Sequence, residues 1–417
     1  MRQCRLEIRE DFSLARAWRT VAVILVCGSL ISIICNGMRA TSGLYLQPMT
    51  MAQGWSRETF SLAIALQNLF WGLASPFFGA VADRYGAGRT LAVGALLMVA
   101  GYYGMAHAQT ALELFTTAGA LIGGGVAASG LAIVLTVFAR QVGPGRRSLI
   151  MGVGTAAGSM GQFLMVPVGQ AWINDYGWQQ ALVLQAVLCV LIVPLSAALA
   201  GKPQAHVDSG QPDQTMRQAI GTAARDRSFQ LLFLGYFTCG FQVVFIALHL
   251  PAYLVDKGLP ASLGAAAIAT VGLFNVIGSF ASGWLGGRYT KKYLLAGLYL
   301  CRSLVIALFV FLPLSSASVY VFAALMGLFW LSTVPLTQGL IGHIFGLRYL
   351  SMLTGFVFLG HQIGSFMGAW LGGKIFDATG SYETAWWLMI AAGVYAAIIH
   401  LPIREQPRFP QPKPAPA

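Results

Sequence analysis

The chain has 417 residues, of which 57% are hydrophobic and only 10% charged, against roughly 25% charged in a soluble domain; this excludes a soluble enzyme. Its net charge of +12 does not point to nucleic acid, because the basic residues stand singly or in pairs between apolar stretches, as membrane topology requires. The six cysteines form no CxxC and no His/Cys cluster, so neither a disulfide framework nor structural zinc is expected, and no cofactor is implied. The opening RQCRLEIREDFSLARAW is too charged, and too long before the first apolar run, for a signal peptide.

Stretches long enough to cross the hydrocarbon, about 20 residues, fall at 19–47, 58–80, 89–108, 111–138, 148–172, 178–200, 229–254, 263–286, 293–313, 317–342, 350–373 and 382–402. They lack the polar/apolar alternation of barrel strands, so the expected fold is an all-α membrane protein of twelve transmembrane helices. With the N-terminus inside, 21 of the 26 Lys and Arg residues lie in the cytoplasm, three (Arg57, Lys257, Lys374) lie outside, and Arg39 and Arg302 lie within spans. This asymmetry places both termini in the cytoplasm of a multi-pass plasma-membrane protein, or in the inner membrane of a bacterium.

The first span carries Ser32, Asn36, Arg39 and Gly43 on one small-and-polar face. All fourteen acidic residues map outside the hydrocarbon. Arg39 therefore has no carboxylate at its depth, and an anionic substrate is its natural counter-ion; the alternative is an arginine that snorkels to the outer interface. The second span ends in GAVADRYGAGR, from Gly79 to Arg89. The hydrophilic segment 201–228 separates an N-terminal half, 1–200, from a C-terminal half, 229–403. In the seventh span Thr238, Gln242, Phe245 and His249 share a face; Thr354, Phe358, His361 and Ser365 do so in the eleventh. Histidine can exchange a proton near neutral pH, so His249 and His361 are candidates for proton coupling, with hydrogen-bonded packing as the alternative. Asn275, Gln67, Asn68 and Gln162 offer neutral hydrogen bonds, and Arg302 offers either backbone pairing or substrate contact. The tail 404–417, REQPRFPQPKPAPA, is too rich in proline for a helix and is expected to be disordered.

A shift of 204 brings Gly79, Arg84 and Tyr85 onto Gly283, Arg288 and Tyr289, and a shift of 203 brings Gly152, Gly161, Gly169 and Gly177 onto Gly355, Gly364, Gly372 and Gly380. Two parallel six-helix repeats would produce this order.

The segment Gly79-Ala-Val-Ala-Asp83-Arg84-Tyr85-Gly86-Ala-Gly-Arg89 resembles the G-x-x-x-D-R-x-G-x-x-R loop of the major facilitator superfamily. The resemblance implies a gating role for Gly79, Asp83, Arg84, Gly86 and Arg89, with Asp83 latching the cytoplasmic side and Gly79 allowing close helix approach. NGMRATSGLYLQPM, GWSRETFSLA, FIALHLPAYLVDKGL and GHQIGSFMGAWLGGKIFDATGSY resemble the monocarboxylate-transporter-like branch, which includes oxalate/formate antiporters. In that family an arginine, usually in the eighth span, is associated with the substrate carboxylate. Here that span offers Asn275 and no basic residue, so the anion site must use another arginine. The expectation is a monomeric secondary transporter, not an enzyme, for small organic anions, proton-coupled or exchanging. Its substrate-contacting candidates are Arg39, His249, His361, Asn275, Asn36 and Gln242. An exporter of a drug or anionic metabolite on the same fold is the alternative.

Overall fold

The computed structural model describes residues 2–140, 147–200, 216–346 and 350–408, and all regular structure among them is helical. The N-terminal part comprises α1 (Arg2–Ala40), α2 (Leu46–Gln53), α3 (Arg57–Tyr85), α4 (Ala87–His107), α5 (Ala111–Leu114), α6 (Ile122–Ser129), α7 (Leu131–Arg140), α8 (Arg147–Val190) and α9 (Ile192–Ala197). After α10 (Met216–Ala224) come α11 (Arg227–Asp256), α12 (Ala261–Gly286), α13 (Lys291–Phe311), α14 (Ser316–Phe329), α15 (Thr333–Phe345), α16 (Leu350–Thr379) and α17 (Glu383–His400). Residues 201–215 of the expected linker, 409–417 of the tail and the side chain of Asp83 lie outside the described residues.

Nine helical stretches among the described residues are long and apolar enough to cross a membrane, the first being Val21–Gln53 and the last Ser316–Phe345. One of them, Val153–Ala197, has 45 residues, far more than a bilayer takes, and it is broken at Gly177, whose φ of +79° suits only glycine. The helices α16 and α17, of 30 and 18 residues, follow the ninth stretch.

Local sequence explains the boundaries. Ser56 caps α3 by accepting from Thr59 N, and Thr110 and Ser315 open their helices with reciprocal capping boxes. Gly86, at φ +99°, turns the chain from α3 into α4. The helix α1 runs back to Arg2 instead of starting near residue 19, because this charged segment has no glycine or proline and is rich in helix formers. The tail expectation needs correction at its start. Arg404 N donates to Ser228 Oγ, Lys291 pairs with Glu405 at 3.2 Å, and Arg408 N donates to Ile344 O at 2.8 Å. Asp226, which caps α11, also binds the Arg408 guanidinium. These partners tether 404–408, which composition alone does not reveal.

Glycine seams set the tight pairs. On α16, Gly360, Gly364 and Gly368 recur every four residues, and a Cβ on any of them would meet backbone or ring atoms of Phe233, Phe237 and Phe241 on α11. Gly161 of α8 lies likewise against the Ile33 backbone of α1. Gly364→Leu should therefore cost at or above the upper end of the ~1–3 kcal/mol typical of overpacking, whereas Gly355→Leu, with open space beside it, should leave the detergent-solubilised melting temperature nearly unchanged. Equal melting of the two variants would refute the seam.

Contacts between the two parts of the chain run mainly along α3–α16 and α8–α12. Gln362 Nε2 donates to Asn68 O at 3.1 Å on the first seam, and Gln162 Nε2 to Ile268 O at 2.9 Å on the second.

Candidate functional site

Arg39 stands near the middle of Val21–Gln53, because α1 is prolonged by a 3-10 turn (Ser42–Tyr45) and then α2. Its guanidinium carbon lies 5.0 Å from the Trp71 ring centroid of α3. Its Nε is buried without a hydrogen-bond partner, and among the described residues no ion pair reaches it. One turn back on α1, Cys35 touches Met98 of α4. The same register one turn further along α4 presents Tyr102, whose hydroxyl is also buried and unpartnered. Two donors without acceptors thus share one region.

From Arg39 an aromatic series crosses to the second part of the chain. Trp71 meets Phe358 of α16 edge-on at 5.3 Å, and Phe358 stacks on His361 at 5.7 Å. His361 Nδ1 is 3.0 Å from Gln362 Oε1, and its ring lies 5.0 Å from that of Tyr236. Arg39 and His361 are therefore joined through two intervening rings.

The other predicted residues lie elsewhere. Asn275 sits on the α8–α12 seam, donating to Ser159 Oγ at 3.1 Å and accepting from Leu331 N at 3.0 Å where α14 gives way to α15. Asn36 donates to Ser32 O and faces Gly158 of α8. His249 is fully buried in the second part, with Nε2 2.8 Å from Ala369 O and Nδ1 3.2 Å from the Tyr382 hydroxyl. Gln242 is also fully buried and donates to Met389 O at 2.9 Å. The structure thus brings neither His249 nor Gln242 to Arg39; the shared helical face turns into the packing of α11 against α16 and α17. Arg302 is fully buried and donates to the Phe329 and Trp330 carbonyls at the end of α14.

One end of the bundle is sealed. Arg57 grips Asp256 through both terminal nitrogens, at 2.6 and 2.7 Å, reaches the Tyr382 hydroxyl at 2.9 Å and lies over the Phe376 ring. Asp377 of α16 accepts from Arg57 N at 3.1 Å and Glu58 N at 2.6 Å, so a carboxylate from the second part satisfies the first-turn amides of α3. Trp370 donates to Glu58 at 2.9 Å, and Gly373 and Gly43 lie against Ser61 and Ala247. Sequence reading counted these charges only as loop residues. Their pairing depends on turns from different parts of the chain meeting, and no local pattern announces that.

Toward the other end the α3–α16 contact is less tight. The antiparallel pair α3–α16 touches at Gly373/Ser61 and Gly72/Gln362, but Gly79 and Gly355, at the next level, both have open space where a Cβ would stand. Among the described residues no atom of another helix lies within 4 Å of a Cβ placed at Gly79. Gly86 has its turn role, while Arg84 and Arg89 are exposed, with Arg84 5.5 Å from the Tyr85 ring. A cavity of about 390 Å³ beside α10 and α11 is lined by Ala224, Phe229, Gln230, Phe233 and Leu234; none of the site residues above lines it.

The described residues thus form a helical membrane bundle whose two parts are tied together at one end by ion pairs and hydrogen bonds. The Major Facilitator Superfamily profile matches residues 25–346 and 267–417, and the chain belongs to that family. Relatives include the uncharacterised MFS-type transporter YcxA of Bacillus subtilis (strain 168), 24% identical over 366 residues, covering 86% of this chain and 89% of the relative. Mouse monocarboxylate transporter 11 is 27% identical over 342 residues, 78% of this chain and 73% of its own. Bovine monocarboxylate transporter 13 is 26% identical over 361 residues, 82% and 79%. Family and relatives make this chain a transporter of a small molecule and not an enzyme.

Proposed function

We propose that the chain is a secondary transporter moving small organic anions of the monocarboxylate kind by alternating access, coupled to protons or by exchange. The observation that carries this reading is Arg39: a cation in mid-span with an unpartnered Nε, no ion pair among the described residues, and a place on the wall between the two parts of the chain. A carboxylate would supply the missing charge and acceptor. The monocarboxylate transporters among the relatives support the same substrate class.

In this proposal twelve spans form two six-helix halves, 1–200 and 229–403. The break at Gly177 divides the longest stretch into two spans, and α16 and α17 supply the last two. The halves rock about the α3–α16 and α8–α12 seams, with the Arg57–Asp256–Asp377 cluster as the outer gate. Both termini are cytoplasmic, as the basic-residue asymmetry favours; cysteine labelling at position 410 by an impermeant reagent from outside intact cells would refute this.

A thermal-shift screen of purified protein against mono-, di- and tricarboxylates tests the substrate class, since a ligand that binds the folded state raises its melting temperature. A monocarboxylate should give the largest rise; no response to any carboxylate would sink the reading. In vesicles, uptake of that carboxylate should accelerate as the outside is acidified. His361→Gln should lose the acceleration while still exchanging substrate, because His361 adjoins the aromatic wall. His249→Gln should retain it.

A further inference from the structure

The buried arginine of α13 has an informative counterpart. The shift of 204 that brings Gly79 onto Gly283 also carries Cys35, Met98 and Ser129 onto Cys239, Arg302 and Thr333. The two trios are assembled alike. Cys35 Sγ lies 3.9 Å from Met98 Sδ and 3.7 Å from Ser129 Oγ; Cys239 Sγ lies 3.3 Å from Arg302 Nη1 and 3.3 Å from Thr333 Oγ1. The fold accommodates a thioether in the first trio, so packing does not require a guanidinium in the second.

A charge there is costly. Arg302 is fully buried, among the described residues no carboxylate pairs with it, and guanidinium does not shed its proton. The titratable groups around the thiol are few: Tyr236 on its own helix, Arg302 and Tyr299 on α13, His361 on α16, and His400 on α17, whose ring stacks on Tyr299 at 5.1 Å. Of the contacts described, α15 contributes Thr333 and α14 contributes carbonyls. Of these groups the thiol alone becomes an anion without the far higher pH that a phenol needs. It receives a guanidinium N–H, and the His361 backbone packs against Gly240, the residue next to Cys239, with the His361 ring 5.0 Å from that of Tyr236.

We propose that Cys239 stands as a thiolate paired with Arg302 and is the proton-carrying group of the transport cycle. A proton arriving on His361 passes to sulfur: the imidazolium N–H bond breaks, the S–H bond forms, and the imidazole returns to its neutral form without any change of oxidation state. The Cys239–Arg302 pair then changes from neutral to a net charge of +1. Loading the proton thereby makes the interior more attractive to an anion, which links the two cargoes. The inference rests on the proton-coupled form of the proposed function and assigns its chemistry.

The test uses purified full-length protein. The ultraviolet thiolate band at neutral pH should vanish in Cys239→Ser and in Arg302→Met, the latter placing beside the thiol the thioether that the first trio carries, with both variants melting as a single folded species. Acid should remove the band from the wild type before unfolding, and His361→Gln should slow or shift that titration. Absence of a band attributable to Cys239, or a band that persists until unfolding, overturns the proposal. In vesicles, Cys239→Ser should lose acid stimulation of uptake of the carboxylate giving the largest melting shift. Stimulation that survives overturns this proposal alone, whereas a wild type indifferent to pH overturns proton coupling and this proposal with it.

Discussion

Arg39→Ala should abolish carboxylate binding and at the same time leave the empty protein as stable as the wild type or more so. A charge near a helix centre costs about 2.5–3.5 kcal/mol on insertion scales, and a buried donor without an acceptor costs about 1–3 kcal/mol. Arg39 bears both penalties, eased by the Trp71 face, so its removal relieves the empty state. Losing one partner of a buried charge pair typically costs ~2–5 kcal/mol of affinity, which is roughly thirtyfold to several thousandfold. Arg39→Lys should restore binding only in part, since an ammonium keeps the charge but loses the planar fork. Isothermal titration with the carboxylate selected by the thermal screen, together with melting of the empty protein, reads both quantities. Normal binding by Arg39→Ala would reduce the arginine to an interfacial anchor. Lower stability with normal binding would make it a structural cation.

The second large effect concerns the sealed end. Asp377→Ala should loosen it, because the amides of Arg57 and Glu58 lose their shared acceptor, which leaves the part-exposed Arg57–Asp256 pair, the Arg57–Tyr382 bond, Gln47, Trp370 and the Gly373/Ser61 and Gly43/Ala247 contacts to hold the two parts together there. Asp377 is itself exposed, so the loss is set at that of an ordinary helix cap, about 1–2 kcal/mol. That corresponds to a roughly five- to thirtyfold rise in the open population. Ser61, fully buried against Gly373, reports on it. In a Ser61→Cys background, Asp377→Ala should speed alkylation at position 61 by an impermeant maleimide by that factor, as read by peptide mass spectrometry. Asp377→Asn, which retains one acceptor oxygen, should fall between. An unchanged rate would mean that Asp377 does not hold this end shut.

The sequence was most readable where one helix alone decides the outcome. Apolar length marks the membrane stretches. Arg39 stood out for the same reason, as a charge inside an apolar run. Hidden from sequence was everything that needs two distant segments to meet. Trp71 is one of ten tryptophans until Arg39 lies on one side of it and Phe358 on the other. Cys239 is an ordinary buried thiol until Arg302 approaches from α13. His249 shows the converse, where the sequence left proton coupling and packing both open. Its spacing from Gln242 and Phe245 does define a face, but a helix packed on several sides has more than one buried face, and periodicity cannot tell a packing face from a cavity wall.

The bond between Asp377 and α3 also bears on how this protein can vary in sequence. Its donors are main-chain amides, which every residue except proline carries, so positions 57 and 58 can drift as far as the Arg57–Asp256 contact allows without loss of this bond. The acceptor has no such freedom, since only a carboxylate spans both amides. Proline, normally welcome at the first position of a helix, would here delete a donor shared across the molecule. Selection on one bond would therefore fall unequally on its ends: a strict requirement for an acid at 377, and at 57 and 58 a ban on a single residue type.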